Sequence, residues 1–230
     1  MNEFLTESVF WGVALTFVTY QAGLWVKKKV KIDLANPLLV ASLMTIAILL
    51  ALGIDYETYN YGAEYVSTLL TPATVSLAIP LYRQLELLKK YPKAILISIA
   101  AGVLTAMGSI LIMSILFGLS HEQYVTLLPK SITAGIATGV SEKMGGMVTL
   151  TLVSITITGI GGNIIAEPVL KLFRIKEPIA KGLAVGTASH ALGTAKAMEM
   201  GEAEGAMSSL SIVVAGVLTV AAAFVFARLL

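Results

Sequence analysis

The chain has 230 residues, of which 57% are apolar and only 13% charged, with a formal net charge of +2. Mean hydropathy is +0.85, whereas a soluble domain carries about 25% charged residues, so this composition excludes an ordinary soluble globule. The absence of cysteine excludes disulfides, thiol catalysis and thiolate metal sites. Crossing about 30 Å of hydrocarbon takes about 20 helical residues. About six to eight such segments use nearly the whole chain, which leaves no room for a separate soluble domain, and one membrane domain is expected over 1–230. The net charge says nothing about partners; composition makes the lipid bilayer one, and no nucleic acid and no cofactor is expected.

In chain order, the N-terminal stretch carries acid before its apolar run and does not read as a cleaved signal peptide. Residues 4–26 form a first span with Trp11, Tyr20 and Trp25 as interfacial anchors. Lys27, Lys28, Lys29 and Lys31 follow, and a basic cluster beside a span marks the cytoplasmic side, so the N-terminus is expected outside. A second span opens at Pro37, a residue suited to a first helical turn because its missing N–H would have been unpaired there anyway, and runs to about residue 54. An acidic loop follows with Asp55, Glu57 and Glu64. The weaker segment 65–82 has Pro72 and Pro80 bracketing Thr74 and Ser76. Each proline removes a backbone hydrogen bond and crowds the preceding turn, which predicts a break. After the basic Arg83, Lys89, Lys90 and Lys93, residues 94–117 form a strong span.

Residues 119–146 are too polar and too broken for a simple span: Pro129, Lys130, Ser131 and Thr133 come early, and Ser141, Glu142 and Lys143 late. If this segment dips in and returns, the later basic group Lys171, Arg174, Lys176 and Lys181 lies inside, as the charge rule asks. A re-entrant or unwound segment is therefore expected. Residues 147–170 form a span bearing Asn163 and Glu167. An acidic loop with Glu199, Glu202 and Glu204 precedes a last span, 206–228.

Between them lies the stretch around which the chain is built, PIAKGLAVGTASHALGTAKAMEMGEAEG at 178–205, with Thr187, Ser189, His190, Thr194 and Lys196 spaced by Gly and Ala. Small residues let backbones approach closely in a membrane, and hydroxyls with a lone imidazole are costly there unless used or satisfied. Two readings stay open: a tightly packed interior helix, or a segment lining a solute path. Lys196 reads as interfacial, His121 as exposed, and Glu167 as a rim charge unless it sits at membrane depth. The halves 1–117 and 118–230 look related, since AAGVLTAMGS at 100–109 resembles VAGVLTVAAA at 214–223. The same offset lays SLAIPLYRQLE over HALGTAKAMEM, with a swap of charge sign after it. An inverted repeat leaves such a swap, and transporters place their site where broken helices of such repeats meet; AGVLT alone is a common membrane-helix string. Helix ends opened at Pro, Gly and Thr bind anions through unpaired N–H groups and the positive end of the dipole. A small carboxylate suits Thr74, Ser76, Lys130, Ser131, Thr133, Thr187, Ser189, His190 and Thr194. His190 is also the candidate for proton coupling, because an arriving carboxylate favours the charged imidazole and anion and proton then travel together. A neutral His190 that only holds the packing is the alternative. No convergent acid–base pair or nucleophile elbow is legible, so no enzyme is expected.

The runs LLTPATVSLAIPLYRQ, LLPKSITAGIATGVSEKMGG and PIAKGLAVGTASHALGTAKAMEMGEAEGAMSSL resemble those of the LrgB/CidB family over nearly the whole chain. The resemblance implies a multi-pass protein of the bacterial inner (cytoplasmic) membrane, often paired with a smaller LrgA/CidA-like membrane subunit. Members were described as holin/antiholin-like effectors of murein hydrolase activity and autolysis. A plant relative carries glycolate and glycerate, and bacterial pairs are linked to pyruvate uptake. The expectation is an all-α polytopic membrane protein with about seven transmembrane helices plus a re-entrant or broken segment, in an elevator-like inverted repeat, and a homo-oligomer. It would carry small monocarboxylates; the alternative is an antiholin-like modulator of murein hydrolases. Single cysteines at Lys29, Gly62 and Glu202 are predicted to label from outside only at the last two. Outside labelling at Lys29 overturns the orientation, and none at Glu202 overturns the re-entrant assignment.

Overall fold

A computed structural model describes residues 8–30, 35–76, 78–83 and 85–230; for residues 70, 71, 74, 80, 81, 85, 87 and 88 it describes the backbone alone. Every regular element among the described residues is helical. The chain divides into two compact units, 1–76 and 77–230.

In the first unit, α1 (Val9–Val30) packs against α2 (Pro37–Leu52) and α3 (Tyr56–Ser67). The boundaries follow local chemistry. Asn36 caps α2 by accepting from the Leu38 and Leu39 N–H groups at 2.9 and 3.3 Å, with Pro37 in the first turn and Gly53 closing the helix at φ 62. Asp55 caps α3, accepting from the Thr58 N–H at 2.7 Å and its hydroxyl at 3.0 Å. Those two bonds hold the Asp55 carboxyl below the ordinary carboxylate range. The α1–α3 crossing rests on two glycines: a Cβ on Gly12 would strike the Tyr59 carbonyl, and one on Gly62 the Val9 carbonyl. Close backbone approach of this kind gives apolar helices their van der Waals contact in lipid. Hydroxyls tie the trio further, Thr16 to Tyr59 at 2.8 Å and Thr19 to Thr45 at 3.0 Å. At the end of α1 the Lys29 ammonium lies 3.9 Å from the Trp25 ring centroid, a cation over an aromatic face. A short helix, α4 (Leu70–Ser76), ends this unit. The expected break falls at Thr68 and Leu69, just before Pro72, which sits in the first turn of α4.

The second unit holds α5 (Ala78–Arg83), α6 (Leu85–Lys90), α7 (Pro92–Phe117), α8 (His121–Leu127), α9 (Ala134–Lys143), α10 (Val148–Leu172), α11 (Pro178–Met200) and α12 (Glu202–Phe226). At its centre α12 packs on α5, α7, α9 and most extensively on α11. The core stripe of α7 is Ile95, Ile99, Val103, Met107 and Ile110, meeting Tyr124 of α8, Leu183 of α11 and Met207 of α12. The opposite face of α7 is also apolar, with Ile97, Leu104 and Leu116 exposed, as expected of a helix whose outer face meets lipid. The fully buried Tyr124 donates its hydroxyl proton to the Phe226 carbonyl at 2.9 Å, closing the end of α12. Residues 119–146 are two short helices with an unwound turn between them, so the broken segment is real. It is tied to α10 by hydroxyls: Thr151 Oγ1 lies 3.0 Å from the Thr126 carbonyl and 2.7 Å from Ser141 Oγ. Helices α1, α7, α10 and α12 are each long and apolar enough to cross a membrane, and α2 is apolar over 16 residues. The protein is a multi-pass, all-α membrane protein.

Three expectations need correction. The acidic loop before the last span is no loop: Glu199 belongs to α11, Glu202 and Glu204 to the first turn of α12, and Gly201 alone joins the two helices. Carboxylates at a helix N-terminus face the positive end of the dipole, which favours starting α12 there. Glu204 is buried and lies 3.8 Å from Lys181, and Glu202 lies 3.8 Å from Arg83. This turn therefore shares its side with the basic groups expected inside, and a cysteine at Glu202 should resist outside labelling when those groups face the cytoplasm. Gly62 is buried between helices, so the outside probe for its segment belongs at the exposed Tyr61. Gly62→Ala should lower the detergent melting temperature, at a cost of about 1–3 kcal/mol for overpacking. Gly108→Ala, whose added Cβ meets nothing within 4 Å, should leave melting unchanged or raise it. Equal melting of the two variants would show that the crossing does not depend on Gly62.

Candidate functional site

The helix α11 is interrupted in its middle. Ser189 (φ −135, ψ 19) and His190 (φ 44, ψ −140) leave helical geometry before the chain resumes it. A positive φ is unfavourable for any residue with a Cβ, so the surroundings must hold His190 in place. They do so through α10. A Cβ added at Gly162 would collide with the Ser189 hydroxyl, and one at Gly159 would come within 2.6 Å of the His190 ring. The two glycines form the recess that receives the break. Backbone groups freed by it find partners, as they must in a protein embedded in lipid. The Asn163 amide donates to the Leu192 carbonyl at 2.9 Å, and the Thr194 hydroxyl lies 3.0 Å from the His190 carbonyl and 2.7 Å from Ser208 Oγ. His190 Nε2 sits 3.1 Å from the Ile155 carbonyl. A carbonyl only accepts, so Nε2 carries a proton there.

A second set of polar residues lines a groove of about 500 Å³ between α7, the turn after α8 and the first half of α11. Ser98, Thr105 and Ser109 come from α7, Lys130 and Ser131 from the turn, and Thr187 from α11. The half-buried Lys130 ammonium lies 3.2 Å from Ser131 Oγ. Among the described residues no carboxylate stands within ion-pairing distance of it. Thr187 Oγ1 is buried without a hydrogen-bond partner, and the Thr187 methyl fills the space that Gly102 leaves open, 2.7 Å from where a Cβ would stand. The groove is mostly apolar, lined by alanines, Gly102 and Leu183, and its one cation and few hydroxyls are the groups that would meet a small anion.

The residues expected to form one site therefore fall into groups. Lys130, Ser131 and Thr187 line the groove. Ser189, His190 and Thr194 are buried in the packing of α11 against α10 and α12. Thr133 caps α9 through its backbone, with no side-chain cap bond. Ser76, on α4, is exposed and turns its hydroxyl back to the Ala73 carbonyl at 2.6 Å, while the side chain of Thr74 lies outside the described residues. Lys196 is an ion-pair node more than an interfacial lysine: its ammonium is 2.7 Å from Glu167 and 3.3 Å from Glu199. Sequence reasoning missed the part played by Gly159, Gly162, Asn163 and Ser208. The signal was present in GIGGN at 159–163, where small residues and an amide sit together in an otherwise apolar span.

An all-α multi-pass protein whose helix breaks over a glycine recess, beside a cationic groove, belongs among the integral membrane proteins with interrupted helices. The model of the LrgB-like family matches residues 16–229, and the chain is a member of that family. It is 37% identical over 226 residues to the antiholin-like protein LrgB of Bacillus subtilis (strain 168), covering 98% of each chain. It is also 37% identical to the proteins of the same name from Bacillus mycoides (strain KBAB4) and Bacillus cereus (strain B4264), over 94% of each chain. No solved structure matches the chain.

The adjacent glycines of α10 give a sharp test. Gly162→Ala should destabilise the protein by about 1–3 kcal/mol because its methyl needs the place of the Ser189 hydroxyl. Gly161→Ala, which meets nothing within 4 Å, should melt as the parent does. Asn163→Leu should cost a similar amount by leaving the Leu192 carbonyl unpaired. Parent-like melting of Gly162→Ala would show that α11 does not break against α10.

Proposed function

We propose that the chain serves the antiholin-like role for which its relatives are named, in the cytoplasmic (inner) membrane, modulating murein hydrolase activity and autolysis. The observation that carries this reading is the match to proteins of that name along 98% of both chains, which leaves no element of either without a counterpart. A homo-oligomer and a smaller LrgA/CidA-like membrane subunit are the proposed partners. Expression in a bacterium deleted for its own LrgB-type protein, with and without such a subunit, tests it. Autolysis after detergent challenge should slow, and murein hydrolase activity on zymograms should fall. Unchanged lysis in both arms would overturn the role.

A second reading, carriage of small monocarboxylates such as glycolate, glycerate or pyruvate, is favoured by the groove that holds Lys130, Ser131 and Thr187. In this reading Lys130 receives the carboxylate and the Ser131 hydroxyl donates to one of its oxygens, while the buried Thr187 hydroxyl reaches the solute once the groove opens. The proposed site extends to Thr133, with the first turn of α9 offering its N–H groups, and to Ser189, His190 and Thr194 at the break. The repeat halves 1–117 and 118–230 remain part of the proposal. Short helices lead into α7 and a broken one into α12, which supports them. Uptake of labelled substrate into proteoliposomes, with and without the partner subunit, is the measurement. Lys130→Gln should cut uptake by roughly tenfold or more, the loss expected when a charge-assisted hydrogen bond is removed. His190→Gln should still take up substrate but lose accumulation driven by a pH gradient. If it accumulates as the parent does, His190 serves packing alone. If no monocarboxylate enters in either arm, carriage is refuted while the lysis assay still decides the first reading.

A further inference from the structure

A second depression, of about 470 Å³, lies where α10 ends and α11 begins. Its wall carries four cations, Lys171, Arg174, Lys176 and Lys181, against the single carboxylate of Glu167. Lys171 is engaged by Glu167 at 3.2 Å, and Lys181 approaches Glu204 at 3.8 Å. Arg174 and Lys176 have no carboxylate within ion-pairing distance among the described residues. The floor is apolar, made by Leu170, Ile175 and Met200, which also pack together. Beside it Leu172 and Phe173 stand 75% and 68% exposed, so a cationic pocket and an apolar shelf share one helix end.

The backbone adds an independent observation. Helix α10 closes with the Ile175 N–H bonded to the Leu170 carbonyl at 2.9 Å and the Arg174 N–H to Lys171 at 3.1 Å, which puts Arg174 at φ 54. That position of a helix terminus is ordinarily taken by glycine, because a Cβ is strained there. The chain keeps an arginine in it, and its side chain lines the depression. Attraction of cations to a helix C-terminus accounts for Lys171, but not for an arginine at the strained position or for Lys176 and Lys181 facing the same space. A guanidinium and ammonium groups above an apolar floor match a phosphodiester joined to acyl chains, and basic pockets between transmembrane helices bind lipid headgroups. We propose that this depression binds the phosphodiester headgroup of an anionic membrane phospholipid, with Arg174 and Lys176 on the phosphate and Leu172 and Phe173 against the glycerol and first methylenes. Inorganic phosphate shares the charge chemistry but has no use for the apolar shelf.

Native mass spectrometry of the purified full-length protein in neutral detergent, titrated with phosphatidylglycerol, phosphatidylcholine or inorganic phosphate, tests the site. Phosphatidylglycerol should be retained in preference to phosphatidylcholine. The double variant Arg174→Gln/Lys176→Gln should weaken its binding about 25-fold, from roughly fivefold per charge removed. The control Lys27→Gln/Lys28→Gln, at the end of α1, should bind as the parent does. Arg174→Gly separates ligand from fold: it relieves the positive φ, so melting in lipid-free detergent should hold or rise while phosphatidylglycerol binding is lost. Unchanged binding in the Arg174 variants, or an equal loss in the Lys27/Lys28 control, overturns the proposal. So does inorganic phosphate that binds with the same Arg174 dependence and displaces phosphatidylglycerol.

Discussion

The fit of two glycines in α10 against two non-helical residues in α11 is the contact on which the second unit depends. A backbone break inside hydrocarbon exposes carbonyl and amide groups that water cannot reach, and each unpaired group costs several kcal/mol. The chain meets that cost locally. Asn163 bonds the Leu192 carbonyl, Thr194 bonds the His190 carbonyl, and His190 itself bonds Ile155. The bonds of Asn163 and His190 need α10 and α11 at close range, and only residues without a side chain at 159 and 162 permit it. The same logic recurs where α11 meets α12: Gly182 and Gly186 lie against the backbone at Glu204 and Ser208. Helix α11 is thus gripped along both flanks by close backbone contacts, which fix its break in position.

Much of the helix inventory was legible, because helix ends are written in local chemistry. Pro37 reads as a helix start and is one, and Asn36, Gly53, Gly118 and the Ser120/Gln123 capping box mark boundaries by the same local rules. The interruptions at 128–133 and within α11 were legible too, since proline, glycine and hydroxyl residues cluster there. The direction each side chain takes was not. Thr187 lies before the break and lines the groove, while Ser189 and His190 lie within it and turn towards α10. Two non-helical residues turn the chain back on itself, bringing Gly193 against Val185, and no spacing rule supplies that reversal. The start of α12 was misread for a related reason: Glu202 and Glu204 look like loop residues by composition, yet the helix dipole welcomes them in a first turn.

The distribution of charge sorts the polar residues by task. Lys196, Glu167, Glu199 and Lys171 neutralise one another near one end of α10 and α11, and partly exposed pairs of this kind add little net stability. Lys130, Arg174 and Lys176 have no such partner among the described residues. Lys130 is half-buried, so its charge is held against its hydration preference, whereas Arg174 and Lys176 are exposed. Two of the three sit beside exposed apolar side chains at a helix end, and the third beside hydroxyls in a groove. The two settings are chemically distinct, which is why a lipid headgroup and a small solute anion need not compete.

The joint between α11 and α12 is one residue long. Gly201 is extended there at φ 165 and ψ 165, and a single extended residue spans about 3.5 Å. The lower half of α11 and the start of α12 therefore form a mechanical couple with no slack. The two halves of α11 fold back on one another at Ser189 and His190, since a Cβ on Gly193 would meet the Val185 carbonyl and Val185 packs with Ala197, so Lys181 and Glu204 meet at the same end of the reversal. The break is a reversal of the chain, braced by Asn163 of α10 on one side and Ser208 of α12 on the other.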